Sequence, residues 1–282
     1  MEPFALLAVF CVGLVVGVVS GLVGIGGGVL IVPFLYFFYG HPEIFGVVVP
    51  PGLVAAAAHA TSLFVIVPTS LRGVAVFHRA GLVVWPAVWG IGAASVFAAV
   101  AGARLALLLP EEVLKSAFGA LLIFSGLRLA VRRRRKRSRS TGLRLSPSVT
   151  VPTGMSVGLF SALLGVGGGI VSIPLLLYVV RVGVRRVAAT SMGIIAITAT
   201  AGTLSYMVAG NSAAGMPPWS VGYVHVAAGV AMFAGSILSV RWGTALNQRL
   251  PPRLLAAIFA FLFLVIGSGL VLRNLGGVEL PW

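Results

Sequence analysis

Gly24-Ile25-Gly26-Gly27-Gly28-Val29-Leu30-Ile31-Val32-Pro33 sets four glycines and a proline inside an apolar segment. Gly165-Val166-Gly167-Gly168-Gly169-Ile170-Val171-Ser172-Ile173-Pro174 does the same 141 residues later. Gly24, Gly26, Gly27, Gly28 and Pro33 fall on Gly165, Gly167, Gly168, Gly169 and Pro174, and most positions between them exchange one aliphatic residue for another. Two copies of so unusual a pattern point to an internal duplication. Each glycine costs a helix about 1 kcal/mol relative to alanine, so three in a row predict a break. Within a bilayer, broken backbone is tolerated only where protein buries it or where it lines a wet cavity. Paired Gly/Pro interruptions at matching places in two halves are the sequence mark of a transporter binding site. The competing reading is that the glycines only let neighbouring helices approach closely.

The surroundings of these stretches settle the class. Of the 282 residues, 59% are hydrophobic and only 9% are charged, against about 25% charged in a soluble domain. The chain therefore reads as a polytopic membrane protein. Its net charge of +15 would suggest nucleic acid in a soluble protein; here the basic residues sit in short segments between apolar runs, so no nucleic-acid partner is expected and topology explains the charge. The single Cys11 leaves neither an intramolecular disulfide nor a cysteine-based metal site. Met1-Glu2-Pro3-Phe4 lacks a basic n-region and no cleavage pattern follows, so the first segment is expected to be retained.

Apolar runs fall at 4–22, 26–39, 53–71, 82–103, 113–131, 150–164, 168–180, 187–209, 221–240 and 254–272. Most approach the ~20 residues needed to span; the second, sixth and seventh are short. The fold expected is an all-α polytopic membrane protein of two inverted-topology repeats, each a glycine-broken or re-entrant helix pair followed by three transmembrane helices. The N-terminal repeat takes residues 1–131, a basic linker 132–147, and the C-terminal repeat 148–282. Weaker repeat matches are Ala60-Thr61-Ser62-Leu63 with Ala189-Thr190-Ser191-Met192, Leu109-Pro110 with Leu250-Pro251, Phe118 with Phe259 and Gly126 with Gly267. The first half carries an extra proline-rich stretch, Gly40 to Gly52, read as a surface loop.

Charge decides between the two topologies. If each broken pair made one crossing, the halves would be parallel and 12 of the 20 Lys/Arg would be cytoplasmic. If each pair enters and returns on one side, the halves are inverted. Arg72, Arg79, the nine basic residues from Arg128 to Arg144, Arg181, Arg185, Arg186, Arg241, Arg249 and Arg253 then lie inside, 17 in all, and only Arg104, Lys115 and Arg273 lie outside. The positive-inside rule selects the inverted arrangement, with both termini external in the cell membrane. Glu2, Glu43, Glu111, Glu112 and Glu279 also fall outside. The linker's arginines act as a topology anchor that can also touch acidic headgroups.

The duplicated G-x-G-G-G-x(4)-P segment, the A-T-S motif opening the following helix and the chain length together resemble the TauE/SafE sulfite exporter family across residues 4–273. That resemblance implies a permease of prokaryotic cytoplasmic membranes that moves small sulfur-containing or carboxylate anions such as sulfite, sulfoacetate and related organosulfonates. It implies a class of substrate, not a compound, and no cofactor.

The residues are compatible with that chemistry. None of the predicted spans holds Asp or Glu, which disfavours sodium, calcium or proton sites built on carboxylates. Helices starting just after Gly28 and Gly169 would present free N–H groups and positive dipole ends near the bilayer middle, and consecutive glycine amides form an anion nest. The expected substrate site is therefore Gly24, Gly26, Gly27 and Gly28 with Gly165, Gly167, Gly168 and Gly169. Thr61, Ser62, Thr190 and Ser191 are the next candidates as hydroxyl donors, although such hydroxyls often bond their own helix or a neighbour. His59, one turn from the A-T-S motif, can pair with an anion when protonated, or can be a packed residue; its counterpart is Ala188. His225 is a weaker candidate of the same kind. Arg72, Arg79 and Arg104 read as helix-end anchors, Asn211 and Tyr206 as lining for an exit, and Trp85, Trp89, Trp219 and Trp242 as an interfacial belt.

An anion channel, a non-transporting membrane subunit and an intramembrane enzyme are the competing classes. Against the enzyme, Ser125-Gly126 has no glycine two residues before the serine, and no H-E-x-x-H or other metal cluster occurs. Small-xxx-small pairs Gly13/Gly17 and Gly17/Gly21 are compatible with a homodimer contact or with internal packing. The inverted topology predicts that a reporter fused after Trp282 reads as external; a cytoplasmic signal contradicts it.

Overall fold

The structure is a computed structural model that describes residues 3–130, 142–210 and 215–251, together with 254, 257, 260, 261 and 263–269. The linker through residue 141, Asn211, Phe259, Glu2, Arg253, Arg273, Glu279 and the Arg128 side chain lie outside what is described. In order, the helices are α1 (Pro3–Val23), α2 (Gly28–Gly40), α3 (Pro42–Phe45), α4 (Val54–Arg79), α5 (Trp85–Leu108), α6 (Glu111–Ala130), α7 (Pro147–Leu164), α8 (Gly169–Tyr178), α9 (Val184–Ala209) and α10 (Val226–Arg249). A minimal hairpin, β1 (Ser220–Val221) and β2 (Val224–His225), precedes α10. Residues 263–269 are helical again.

Among the described residues, α1, α4, α5, α7, α9 and α10 are long and apolar enough to cross a membrane, so the chain is an all-α, multi-pass membrane protein. With 13 and 10 residues, α2 and α8 reach roughly 20 and 15 Å at 1.5 Å per residue, short of the ~30 Å hydrocarbon core. The sixth apolar run proves longer than its sequence limits. It begins at Pro147 and makes an 18-residue helix, with Ser146 as its N-cap and the proline in its first turn, where a missing N–H costs nothing. Each broken pair thus joins one spanning helix to one short one. Pro33 and Pro174 lie inside α2 and α8 and do not close them.

At each break the chain turns back. A Cβ built on Gly27 would lie 2.7 Å from Val16 Cγ1, and one on Gly168 would lie 2.8 Å from Val157 Cγ1. Both valines are about two turns before the end of the preceding helix, about 10 Å along its axis. The chain therefore folds against α1 and α7 at each break, and beyond it α2 packs on α4 while α8 packs on α9 and α7. The turn uses left-handed backbone at Gly24, Gly26 and Gly27 (φ 74°, 87°, 85°) and at Gly165, Gly167 and Gly168 (φ 66°, 76°, 82°), which only glycine adopts readily.

The long helices pack in crossed pairs: α1 along α10, α7 along α5, and α4 along α9. Gly13, Gly17 and Gly21 bring α1 against the α10 backbone at Met232, Ser236 and Val240, and Gly235 and Gly243 return the contact. Gly154 and Gly158 do the same for α7 against the Ile91 and Ser95 carbonyls of α5. The small-residue stripe of α1 is thus used inside the chain. Gly126 of α6 meets Ala260, Phe263 and Leu264, while Gly267 meets Gly119, Leu122 and Ile123.

Three expectations change. The Gly40–Gly52 stretch is not a plain surface loop: α3 inserts buried Phe45 between Phe37 and Phe38, at ring-centroid distances of 5.8 and 4.7 Å. Tyr206 lines no exit; it is fully buried and donates to the Ala162 carbonyl at 3.0 Å. The A-T-S motifs lie about two turns inside α4 and α9, not at their starts. Trp89, Trp219 and Trp242 are exposed, as an interfacial belt requires, and Arg72, Arg79 and Arg104 are exposed along helix surfaces.

Replacing Gly158 by leucine forces α7 away from the Ser95 carbonyl and is expected to cost about 3 kcal/mol by overpacking, read as a fall in unfolding midpoint in detergent. Gly40→Ala, where a Cβ meets nothing, should leave it unchanged. Equal midpoints for both variants contradict the packing.

Candidate functional site

The two breaks lie against each other. A Cβ on Gly28 would fall 2.5 Å from Val166 Cα, and one on Gly169 would collide with the backbone of Ile25. A Cβ on Gly24 would lie 2.6 Å from Ala188 Cα, and one on Gly165 would lie 2.5 Å from His59 Cα. A Cβ on Gly26 or on Gly167 would lie 3.0–3.2 Å from the side chains of both Ile66 and Ile195. Each contact made by one break is returned by the other at the matching position. The eight glycines predicted from the sequence are thereby brought together at one place.

The breaks leave donors unused. Leu30 and Ile31 donate their N–H groups to the Gly27 carbonyl, and Val171 and Ser172 donate theirs to Gly168. The N–H groups of Gly26, Gly27, Gly28 and Val29, and of Gly167, Gly168, Gly169 and Ile170, donate to no backbone carbonyl among the described residues. Buried N–H groups are seldom left so. Two helix N-termini with free donors carry a positive potential suited to an anion.

The predicted hydroxyls are placed differently from one another. Thr61 Oγ1 accepts the His225 N–H (3.0 Å) and Thr190 Oγ1 accepts the Val84 N–H (3.2 Å). His225 and Val84 are the N-cap residues of α10 and α5, so the threonines brace the starts of these helices. Ser62 donates to the Gly165 carbonyl at 2.7 Å. Ser191 pairs with Ser172 at 2.6 Å, and Ser172 donates to Gly169. Both serines thus touch the second break directly or through one hydroxyl.

His59 lies in a polar cluster found on one side only. Its Nε2 is 2.6 Å from the Tyr36 hydroxyl. Its Nδ1 meets no partner in hydrogen-bond geometry, although the Leu163 carbonyl bears on the ring. Lys115, ion-paired with Glu111, stands 5.4 Å from the Tyr36 ring centroid. One turn along α2, the Tyr39 hydroxyl donates to Thr61 at 3.3 Å and lies 3.4 Å from His225 Nδ1. At the matching positions of the other repeat stand Leu177, Val180, Ala188 and Val84, all packed in apolar clusters.

Tyr36 and Tyr39 were not singled out by the sequence reading; a polar residue facing an aliphatic one in the repeat alignment is the signal that finds them. Ser20 and Ser161, 141 residues apart, were also passed over, and both sit against the glycines at the starts of α2 and α8.

The family model described as sulfite exporter TauE/SafE matches residues 9–270. The chain is 31% identical over 264 residues to a probable membrane transporter protein of Methanocaldococcus jannaschii, with 93% of each chain covered. It is 27% identical over 273 residues to one of Haemophilus influenzae, covering 97% of this chain and 100% of the relative. It is 24% identical over 295 residues to the probable membrane transporter protein YunE of Bacillus subtilis, covering 96% and 98%. No solved structure matches.

Tyr36→Phe strips the buried His59 Nε2 of its partner and is expected to cost about 1–3 kcal/mol, while Tyr36→Phe with His59→Leu should recover most of it. Unfolding midpoints of the two variants check this; a silent single substitution means the bond carries no weight.

Proposed function

The chain belongs to the TauE/SafE sulfite exporter family, and from that premise we propose that it exports a small sulfur-containing anion, of the sulfite or organosulfonate class, across the cytoplasmic membrane. The observation that carries this reading is the meeting of two helix N-termini with unclaimed N–H groups in a buried interior. Within the described spans that enclose the breaks stands no Asp or Glu, so a cation finds no carboxylate there and an anion meets no repulsion. The oxyanion end of the substrate binds at the breaks; Ser62 and Ser191 position the second break, and the Tyr36–His59 pair flanks it. The substrate-facing role of Thr61 and Thr190 is through the helices they brace.

The reciprocal contacts support a two-fold relation between the repeats, which returns every contact in exchanged form, and the distribution of basic residues favours its inverted form. With 17 of 20 basic residues on the linker side, that arrangement puts both termini outside. A negative-inside potential drives each anionic charge outward by about 2.3 kcal/mol per 100 mV, so export needs no coupled ion. The side chains of Ile66 and Ile195 fill the space over both breaks, which favours alternating access over an open pore.

Bulky substitutions at Gly27 and Gly168 would strain left-handed backbone as well as block a site, so flux through the unaltered protein is the cleaner test. In proteoliposomes with a negative interior, labelled sulfite or sulfoacetate should leave in a saturable, potential-dependent way. Non-saturable flux would make the protein a channel; no flux of any sulfur oxyanion would overturn the proposal.

A further inference from the structure

Ser20 and Ser161 are fully buried, and neither hydroxyl has a hydrogen-bond partner. That is unusual in this protein. Most other buried helical Ser and Thr hydroxyls among the described residues bond back three or four residues, as do Thr69 to Val65, Ser95 to Gly92, Thr198 to Ile194 and Ser239 to Gly235, the usual habit of Ser and Thr in helices. In the described helices only Thr203 shares their lack of a partner. An unpartnered buried hydroxyl destabilises the fold. Here it occurs twice, at equivalent positions of the two repeats.

Both serines face the same feature. Ser20 Cβ lies 3.5 Å from a Cβ built on Gly27, and Ser161 Cβ lies 3.2 Å from one built on Gly168. Gly27 and Gly168 are the N-cap residues of α2 and α8, and neither cap is closed by a side chain. The carbonyls of the same serines accept the Gly24 and Val166 N–H groups, so each serine is fixed at the point where its helix ends. Each break therefore combines a helix N-terminus, four unclaimed N–H groups and one idle hydroxyl.

We propose that Ser20 and Ser161 are the side-chain donors of two repeat-related half-sites for an oxyanion, each completed by the free N–H groups of Gly26–Val29 or of Gly167–Ile170. A pyramidal or tetrahedral oxyanion suits them, because several equivalent oxygens can accept from the hydroxyl and the amides together. This rests on the anion-transport reading and adds to it the residues and the number of subsites. The hydroxyls are idle without ligand because their partner is the ligand.

The test sets stability against affinity. Ser20→Ala and Ser161→Ala should each raise the unfolding midpoint of the ligand-free protein, since an unpaired polar group is removed. Each should also weaken sulfite binding, measured by the sulfite-induced shift of that midpoint, by roughly tenfold to a hundredfold. Thr203 is the control: it is buried and unpartnered, but Val74 stands at its repeat-equivalent position. Thr203→Ala should raise stability and leave sulfite affinity unchanged. If both serine variants bind sulfite as tightly as the wild type, the serines are not donors, and anion transport itself stands. Loss in only one variant overturns the paired half-sites. If the wild-type midpoint responds to no sulfur oxyanion, the transport reading falls and this proposal falls with it.

Discussion

Two stretches of backbone touch where no side chain can stand. Gly28 rests on Val166, Gly169 on Ile25, Gly24 on Ala188 and Gly165 on His59, and every other feature of the centre follows from that closeness. Main chain can approach main chain only if the residues between are glycine, and the required turn is left-handed, which glycine also supplies. The same turn aborts the helical hydrogen-bond ladder, so the first amides of α2 and α8 have no carbonyl to bond. In an apolar interior those donors are costly unless something accepts them. On the proposed reading, a site for an anion is a by-product of this backbone contact.

Around this centre the hydroxyls divide by role. Thr61 and Thr190 brace α10 and α5 in the same way. Thr69 with Ser236 (2.5 Å) and Ser95 with Thr198 (2.6 Å) are matching cross-links between long helices. These pairs keep the repeats alike. The Tyr36, Tyr39, His59 and His225 cluster does the opposite, because its counterpart is wholly aliphatic. A transporter built on equivalent halves needs some difference between its two faces, and this cluster is one.

Much of this was legible in the sequence. Glycine runs inside apolar segments mark the breaks because their helix cost and their spacing are both local properties. The offset of 141 aligns the breaks, whereas the A-T-S motifs align at 129; the structure accounts for the gap by a longer α2, by α3 with its flanking turns and by one more residue in α4 before the motif. The length of α7 was obscured by Pro147 and Ser148, which interrupt the apolar pattern although proline suits the first turn of a helix. The roles of Thr61 and Thr190 depend on residues 164 and 106 positions away, beyond any local pattern. Ser20 and Ser161 were hidden for another reason: a serine without a partner looks, in sequence, like any other serine in a helix.

The central claim is that an oxyanion sits on the two backbone breaks. Anomalous diffraction from crystals soaked in selenite, a heavier analogue of sulfite, tests it most directly. The account predicts a selenium peak within hydrogen-bond distance of the Gly27 or Gly168 amide and of Ser20 or Ser161. Selenium bound only at the arginine-rich surface, with the breaks empty at saturating selenite, would contradict it.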